Sequence, residues 1–438
     1  MGIFNQIVQF ILSLSILVFL HELGHYFFAR LFNTRVEKFY LFFNPWFSLF
    51  KLKKGDTEYG IGWLPLGGYV KISGMIDESM DTDQMSTPPK PWEYRSKPAW
   101  QRFLIISGGV LVNFLLAIVI YTAVLYTWGE EFLPTKNVTH GVYCDPLAEE
   151  IGFRNGDKIL SVDGKEVESF SQIPLAIIID GAKVVTVERE GEIVDVSIDP
   201  AFIPQLLKTQ MLFQPRTPLV IEYVAEGSAA ESSDIRVGDK LLAINGQRAL
   251  YFDEFRNAVM SSPNETLLVT MERNGSPIEL DVAVPETGMV GIAPMSPYSY
   301  YELERIEYSL IGAIPAGIKS GVDTFSSYIK QLKLVFSPKT KAYESVGGFI
   351  TIGSIFPKTW NWHFFWNLTA FISIVLAIMN MLPIPALDGG HMLFLVYEMV
   401  SGRKPSDKFM EYAQIMGMVF ILALFVFANA NDVIKLFR

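Results

Sequence analysis

Four long apolar runs divide the chain, at residues 3–31, 103–128, 364–387 and 410–429. Each run is long enough to cross a hydrocarbon core of ~30 Å as a single helix. A long segment of mixed polarity, with short β-rich stretches, separates the second run from the third. The pattern predicts a polytopic α-helical membrane protein with four transmembrane helices and a large part outside the bilayer.

Basic residues lie in the segment that joins the first apolar run to the second, and in the segment that joins the third run to the fourth. Lysine and arginine in short loops favour the cytoplasmic side of a membrane. We therefore expect residues 32–102 in the cytoplasm, and residues 129–363 and both termini on the extracytoplasmic side. The first run is longer than a signal-peptide core and is interpreted as a retained membrane helix.

The external segment contains an internal repeat, because GDKIL at 156–160 recurs as GDKLL at 238–242. Each copy has short β-rich runs, Asp-Gly or Asn-Gly turns and one predicted helix. The copies, at 135–212 and 213–292, resemble PDZ domains and are expected to form two tandem PDZ-like α+β domains. PDZ domains take peptides by strand addition, although a pair of spacer domains that bind nothing is the alternative.

Two further segments have a distinctive pattern. Residues 293–363 include apolar side chains at helical spacing, which predicts an amphipathic helix lying on the membrane or packed against the PDZ-like pair. Residues 58–74 are apolar but interrupted by glycine and proline, which favours a β-hairpin. This hairpin either re-enters the membrane against protein or a wet cavity, or it lies in the cytoplasm. The complete predicted division is 1–32, 33–102, 103–128, 135–212, 213–292, 293–363, 364–392 and 410–430.

Composition narrows the possible chemistry. The 438 residues are 50% hydrophobic with a net charge of -10, so the chain lacks the basic surface that nucleic-acid binding requires. Cys144 is the only cysteine, which excludes intramolecular disulfides and a metal site built from several thiolates. A zinc site in this chain would therefore use histidine and carboxylate ligands.

The sequence His21-Glu22-Leu23-Gly24-His25 lies inside the first apolar run. A helix places the two histidines one turn apart on one face, an arrangement that binds Zn²⁺ with the glutamate as general base. Ionisable residues are costly in a membrane span and are functional by default. We interpret His21 and His25 as zinc ligands and Glu22 as the general base; the alternative is a chance match in a buried helix.

A catalytic zinc ion usually takes three protein ligands and leaves one position open. Asp388 and His391, near the end of the third run, are both possible third ligands. Asp388 is preferred because a carboxylate partly neutralises the ion in a site of low dielectric. Both the histidine motif and Asp388 are expected at the same cytoplasmic-side depth, with His391 in a supporting position or at a helix end.

Asn380, Pro383 and Pro385 precede this aspartate. The prolines exclude regular helix, so free backbone groups could face a substrate strand. Asn380 could hold that strand or polarise the scissile carbonyl. Alternatively, Asn380 only forms hydrogen bonds with backbone groups that the broken helix leaves without helical partners.

Taken together and in this order, the motifs resemble the site-2 protease family of intramembrane zinc metalloproteases. The resemblance covers most of the chain and implies one zinc ion per chain, held by His21, His25 and Asp388, with Glu22 as the base. The implied substrates are single-pass membrane proteins that another protease has already shortened, such as an anti-sigma factor or a remnant signal peptide. The PDZ-like pair would filter substrates by size, and the implied location is the bacterial inner membrane.

The resemblance also implies that Asn380, Pro383 and Pro385 contact the substrate. The hairpin, through Gly67 and Gly68, could accept an unwound substrate as an added strand. One departure is that SVGGFI at 345–350 replaces the family's more usual segment containing Gly-Pro.

Two other classes of protein remain as alternatives. A membrane-anchored PDZ scaffold could carry a purely structural metal site, which would be closed and would not need Glu22. A transporter could also hold intramembrane charges and broken helices, but four spans without an inverted repeat argue against this class.

Overall fold

The computed structural model describes residues 2–75, 88–207, 211–337 and 347–436. Parts of three predicted segments lie outside the described residues. These parts are residues 76–87 of the cytoplasmic segment, 208–210 of the first PDZ-like copy, and 338–346 of the external region, which include Ser345 and Val346. The described residues form two compact units. One is built from residues 2–129, 307–333 and 347–436, and the other mainly from residues 130–306.

The α-helices in chain order are α1 (Gly2–Leu31), α2 (Ala99–Trp128), α3 (Pro146–Ile151), α4 (Gln172–Ile178), α5 (Ile203–Leu206), α6 (Ala229–Ser232), α7 (Phe252–Ser261), α8 (Pro297–Tyr300), α9 (Leu310–Val335), α10 (Phe349–Ile355), α11 (Trp362–Met381), α12 (Asp388–Ser401) and α13 (Asp407–Leu436). The strands are β1 (Val36–Lys54), β2 (Thr57–Ile72), β3 (Glu130–Phe132), β4 (Val142–Cys144), β5 (Lys158–Val162), β6 (Val184–Arg189), β7 (Glu192–Ser197), β8 (Phe213–Pro215), β9 (Ile221–Val224), β10 (Lys240–Ile244), β11 (Gln247–Arg248), β12 (Thr266–Arg273), β13 (Ser276–Ala283), β14 (Ile292–Pro294) and β15 (Glu304–Ile306).

Four helices of the first unit are long and apolar enough to cross a membrane, namely α1, α2, α11 and α13. This confirms four candidate membrane spans, one in each predicted run. Helix α11 packs along α2 through small and β-branched side chains that include Ala117, Ala370 and Ile374. The third predicted span is divided, because α11 ends at Met381 and α12 begins only at Asp388. Pro383 lies in this break, where its ring and missing N–H exclude regular helix.

Helix α9 accounts for the apolar spacing predicted in the external region. Its small residues Ala313, Gly317 and Gly321 are buried, and the last two lie against Thr122 and Ile118 of α2. Small residues at four-residue spacing allow helix backbones to approach closely in membranes. The apolar spacing predicts this helix either on the membrane surface or against the PDZ-like pair. Packing against a candidate membrane span is a third arrangement, which the spacing does not indicate.

Strands β1 and β2 form a sheet that is larger than the predicted hairpin at 58–74. Both strands bend, so that Leu41 pairs with Gly68 and also with Ile61. Residues 68–72 pair only with residues 36–41 among the parts that the structure describes. This stretch of β2 therefore lies at an edge of the sheet in the part of the chain that the structure describes.

The second unit contains both copies of the predicted repeat. The first copy has the sheet β5-β6-β7 and the second has the sheet β11-β10-β12-β13. Buried Asp157 pairs with Arg189 at 2.7 Å in the first copy, and buried Asp239 pairs with Arg273 at 2.7 Å in the second. The recurrence of these residue types in the two copies therefore corresponds to the same ion pair in each.

Candidate metal centre

The three predicted zinc ligands lie together within the first unit. Helix α1 presents His21 and His25 one turn apart, with their Nε2 atoms 3.2 Å from each other. Oδ2 of Asp388, the first residue of α12, lies 3.3 Å from Nε2 of His21 and 3.4 Å from Nε2 of His25. One donor atom from each residue falls within a mutual distance of 4.8 Å.

The donor set fits a zinc ion. Oδ2 of Asp388 is buried and accepts no hydrogen bond from any residue that the structure describes. A buried carboxylate oxygen without a donor is costly unless a cation balances it. Two imidazole nitrogens and one carboxylate oxygen are also a ligand set that catalytic zinc uses, with a further position left for water.

The break between α11 and α12 brings Asp388 to the histidines. Gly390 allows the first turn of α12 to pack tightly on the break, since a Cβ at this position would lie 2.6 Å from the carbonyl oxygen of Ile384. Ala386 has a φ of 83°, in the left-handed region that costs a residue with a side chain about 1–2 kcal/mol. The connection is thus held in a strained conformation immediately before the carboxylate.

Glycines of α2 make room for the histidine motif, and they are not among the predicted site residues. A Cβ at Gly109 would lie 2.5 Å from Nε2 of His25 and 2.6 Å from Cε1 of His21. A Cβ at Gly108 would lie 2.6 Å from the carbonyl oxygen of Gly24. The sequence feature that could have indicated them is a Gly-Gly pair within an apolar run, because small residues mark close helix contacts in membranes.

The metal centre opens into a cavity of about 660 Å³. Glu22 lines this cavity together with Gly67, Gly68 and the rest of the edge stretch of β2. A Cβ at Gly68 would lie 3.4 Å from Cγ of Glu22, so the edge strand passes directly beside the predicted base. The predicted base, the predicted metal ligands and an edge stretch of β2 therefore share one cavity.

The other predicted site residues occupy different positions. Asn380 lines the cavity, and its Nδ2 lies 3.4 Å from Nε2 of His21. His391 also lines the cavity, one turn after Asp388. Within the described part of the chain, the break contributes Ala386 and Leu387 to the cavity wall rather than its two prolines. Contact of Pro383 and Pro385 with a substrate stays a prediction.

A histidine-carboxylate centre with an adjacent glutamate, set among helices that can cross a membrane, is characteristic of a membrane-embedded metalloprotease. Comparison with known proteins gives the same class. The chain belongs to peptidase family M50, whose family model matches residues 9–424.

Relatives match this chain over almost its full length. It is 31% identical to the "Putative zinc metalloprotease" of Vibrio cholerae, over 98% of each chain. It is 29% identical to the "Regulator of sigma-E protease RseP" of Escherichia coli, over 98% of this chain and 99% of that protein. It is 28% identical to the "Protease RseP" of Yersinia pestis, over 100% of each.

Family membership confirms the predicted resemblance to site-2 proteases and the prediction of a zinc metalloprotease. It also identifies zinc as the cofactor, in agreement with the donor set. The two alternative classes, a PDZ scaffold with a structural metal site and a transporter, are disfavoured because the match extends through both halves of the metal centre.

Proposed function

We propose that this chain cleaves the transmembrane segment of single-pass membrane proteins, with His21, His25 and Asp388 as zinc ligands and Glu22 as general base. The proposal rests on one observation: three donor atoms converge beside Glu22 in a cavity that an edge stretch of β2 also lines. A site of this composition inside candidate membrane spans suits the hydrolysis of a peptide bond that lies in the bilayer.

The chain's own residues account for the proton transfers. Zinc, when bound, supplies Lewis acidity toward water and toward the scissile carbonyl. Glu22 takes a proton from the attacking water and returns it to the leaving amine. Asn380 can donate a hydrogen bond to the carbonyl oxygen as negative charge develops there.

The strand edge explains how a helical substrate could be cut. A transmembrane helix hides its carbonyls in hydrogen bonds four residues apart, so the substrate must first unwind. Residues 68–72 form an edge of the sheet, and an unwound segment can add to such an edge as a strand. Gly68 allows this stretch of β2 to lie close to Glu22, and Gly67 lines the same cavity. The sheet would act as a hairpin that re-enters the membrane.

The identity and location of the substrates follow by analogy. The relative from Escherichia coli is named a regulator of sigma-E protease, which supports an anti-sigma factor as substrate; remnant signal peptides are the second candidate. Both would be trimmed beforehand by another protease. The copies at 135–212 and 213–292 would act as PDZ-like domains outside the bacterial inner membrane that admit only short substrates, with both termini on the same side.

The test is cleavage of a truncated single-pass model substrate by the purified full chain in detergent, with bound zinc measured in parallel. Glu22→Gln is expected to lower the cleavage rate by about a hundredfold to ten-thousandfold, because general-base catalysis is lost. Bound zinc is expected to remain near one per chain, since Glu22 is not a ligand. Glu411→Gln, the same change at an exposed position of α13, is the matched control and should cleave normally.

Normal cleavage by Glu22→Gln would refute the assigned base. Zinc bound at the normal level by His21→Ala or Asp388→Asn would refute the ligand set. If wild type cleaves a panel of trimmed membrane proteins no faster than Glu22→Gln does, the proposed substrate class is wrong.

A further inference from the structure

The two histidines of the metal centre differ in what supports their second ring nitrogen. Nδ1 of His25 lies 2.9 Å from the carbonyl oxygen of Ile105. Nδ1 of His21 lies 3.3 Å from Nδ2 of Asn113, a residue of α2. Both Nε2 atoms point toward Asp388.

Zinc binding determines which ring nitrogen carries the proton. A neutral imidazole has one N–H and one free lone pair, and the lone pair must face the metal. If Nε2 binds zinc in both residues, Nδ1 carries the proton in both. His25 can donate this proton to the Ile105 carbonyl. His21 needs an acceptor at the place where the Asn113 amide nitrogen, itself a donor, now lies.

Asn113 has such an acceptor within the same side chain. The residue is fully buried, and its Oδ1 has no hydrogen-bond partner among the described residues. A half-turn of the amide exchanges Oδ1 and Nδ2, which brings the unpaired acceptor to the unpaired N–H of His21. The backbone at this position is held in place, because Ser373 Oγ donates to the Asn113 carbonyl oxygen at 2.7 Å.

We propose that Asn113 is a positioning residue, whose Oδ1 accepts the Nδ1 proton of His21 in the zinc-bearing enzyme. The bond fixes the ring orientation and the tautomer of His21, as the Ile105 carbonyl does for His25. This inference rests on the proposed ligand set. Partners of this kind typically change zinc affinity by about 10–100-fold.

The experiment measures the zinc affinity of the purified full chain by competition with a chromophoric chelator. Asn113→Leu, which removes the acceptor at similar size, is expected to weaken zinc binding by about 10–100-fold. Asn113→Asp keeps acceptor oxygens at the same place and should bind zinc within about threefold of wild type. Thermal unfolding of the zinc-free variants reports whether each one folds, and Asn113→Ala replaces Asn113→Leu if leucine prevents folding.

Thr369→Val is the matched control, because it removes a buried hydrogen bond to Ser13 between helices α11 and α1 without touching His21. Unchanged zinc affinity in Asn113→Leu would overturn the proposal, and so would an equal loss in Thr369→Val. A loss in Asn113→Asp as large as in Asn113→Leu would show that Asn113 does not act as an acceptor. His21→Ala tests the ligand set separately from the role of Asn113. If this variant keeps normal zinc affinity, the ligand set itself is wrong.

Discussion

Gly109 has no side chain, and two imidazoles lie in the space that this leaves on α2. Its position illustrates how single residues define the metal centre, since one added carbon would lie 2.5 Å from Nε2 of His25. The histidine motif can therefore pack only against a helix that has glycine at this position. The same requirement applies to Gly24, which faces Gly108 across the contact between α1 and α2.

Gly109→Ala is expected to displace the two rings and to lower both zinc affinity and cleavage rate about tenfold or more, as misplaced ligands do. Chelator competition and model-substrate cleavage would measure the two effects. Gly353→Ala is the control, because this glycine of α10 has open space where the methyl group would be. Wild-type zinc affinity in Gly109→Ala would mean that the rings are not held where the structure places them.

At the scale of whole elements, α9 meets α2 through the small residues Gly317 and Gly321 as well as through aromatic side chains. Phe325 meets Phe114 edge to face with ring centroids 5.6 Å apart. Most of α9 belongs to the same compact unit as the candidate membrane spans.

Gly317→Leu should force α9 away from Thr122 and lower the free energy of unfolding by about 1–3 kcal/mol through overpacking. Thermal unfolding of the detergent-solubilised chain would show the change. Gly312→Leu places the same side chain on the same helix, where the nearest group is the Ser309 hydroxyl, and it should be tolerated. Equal stability of the two variants would contradict the packing of Gly317 against α2.

At the scale of the whole molecule, Arg216 is one of the residues that join the two predicted copies within the second unit. The guanidinium lies 3.8 Å above the ring of Tyr251 and pairs with buried Asp253 at 2.7 Å. The backbone N–H of Arg216 donates to the carbonyl oxygen of Gly141, in the first copy. One residue thus contacts both copies of the repeat.

Arg216→Leu would leave the Asp253 carboxylate buried without its cation, which should destabilise the second unit by about 3–5 kcal/mol. Faster hydrogen exchange across residues 213–306 of the full chain would report this loss. Arg248→Leu, at an exposed arginine of the same unit, should leave exchange unchanged. Unaltered exchange in Arg216→Leu would show that the copies are held together by other contacts.

Patterns within short stretches of sequence predicted those features of the molecule that are determined by residues close together in the chain. Long apolar runs indicated the candidate spans, and the spacing of His21 and His25 indicated the face that they share. The proximity of Asp388 to the histidines was expected from the predicted topology, in which two inward-running helices bring these residues to the same depth. Asn113 and Gly109 could not be found in this way, since their importance arises only when α2 packs against α1. The bends of β1 and β2 depend equally on contacts between distant residues.

Cys144 is the chain's only thiol, and it is buried in the core of the first copy. Burial, with additional repulsion from Asp157 and Glu149, raises the pKa of the thiol to about 12. At neutral pH the sulfur is therefore a poor nucleophile that alkylating reagents cannot easily reach. A cysteine introduced at an accessible position would therefore be the one thiol that reacts. Its labelling by a thiol reagent added to either side of a membrane could be measured without first replacing Cys144.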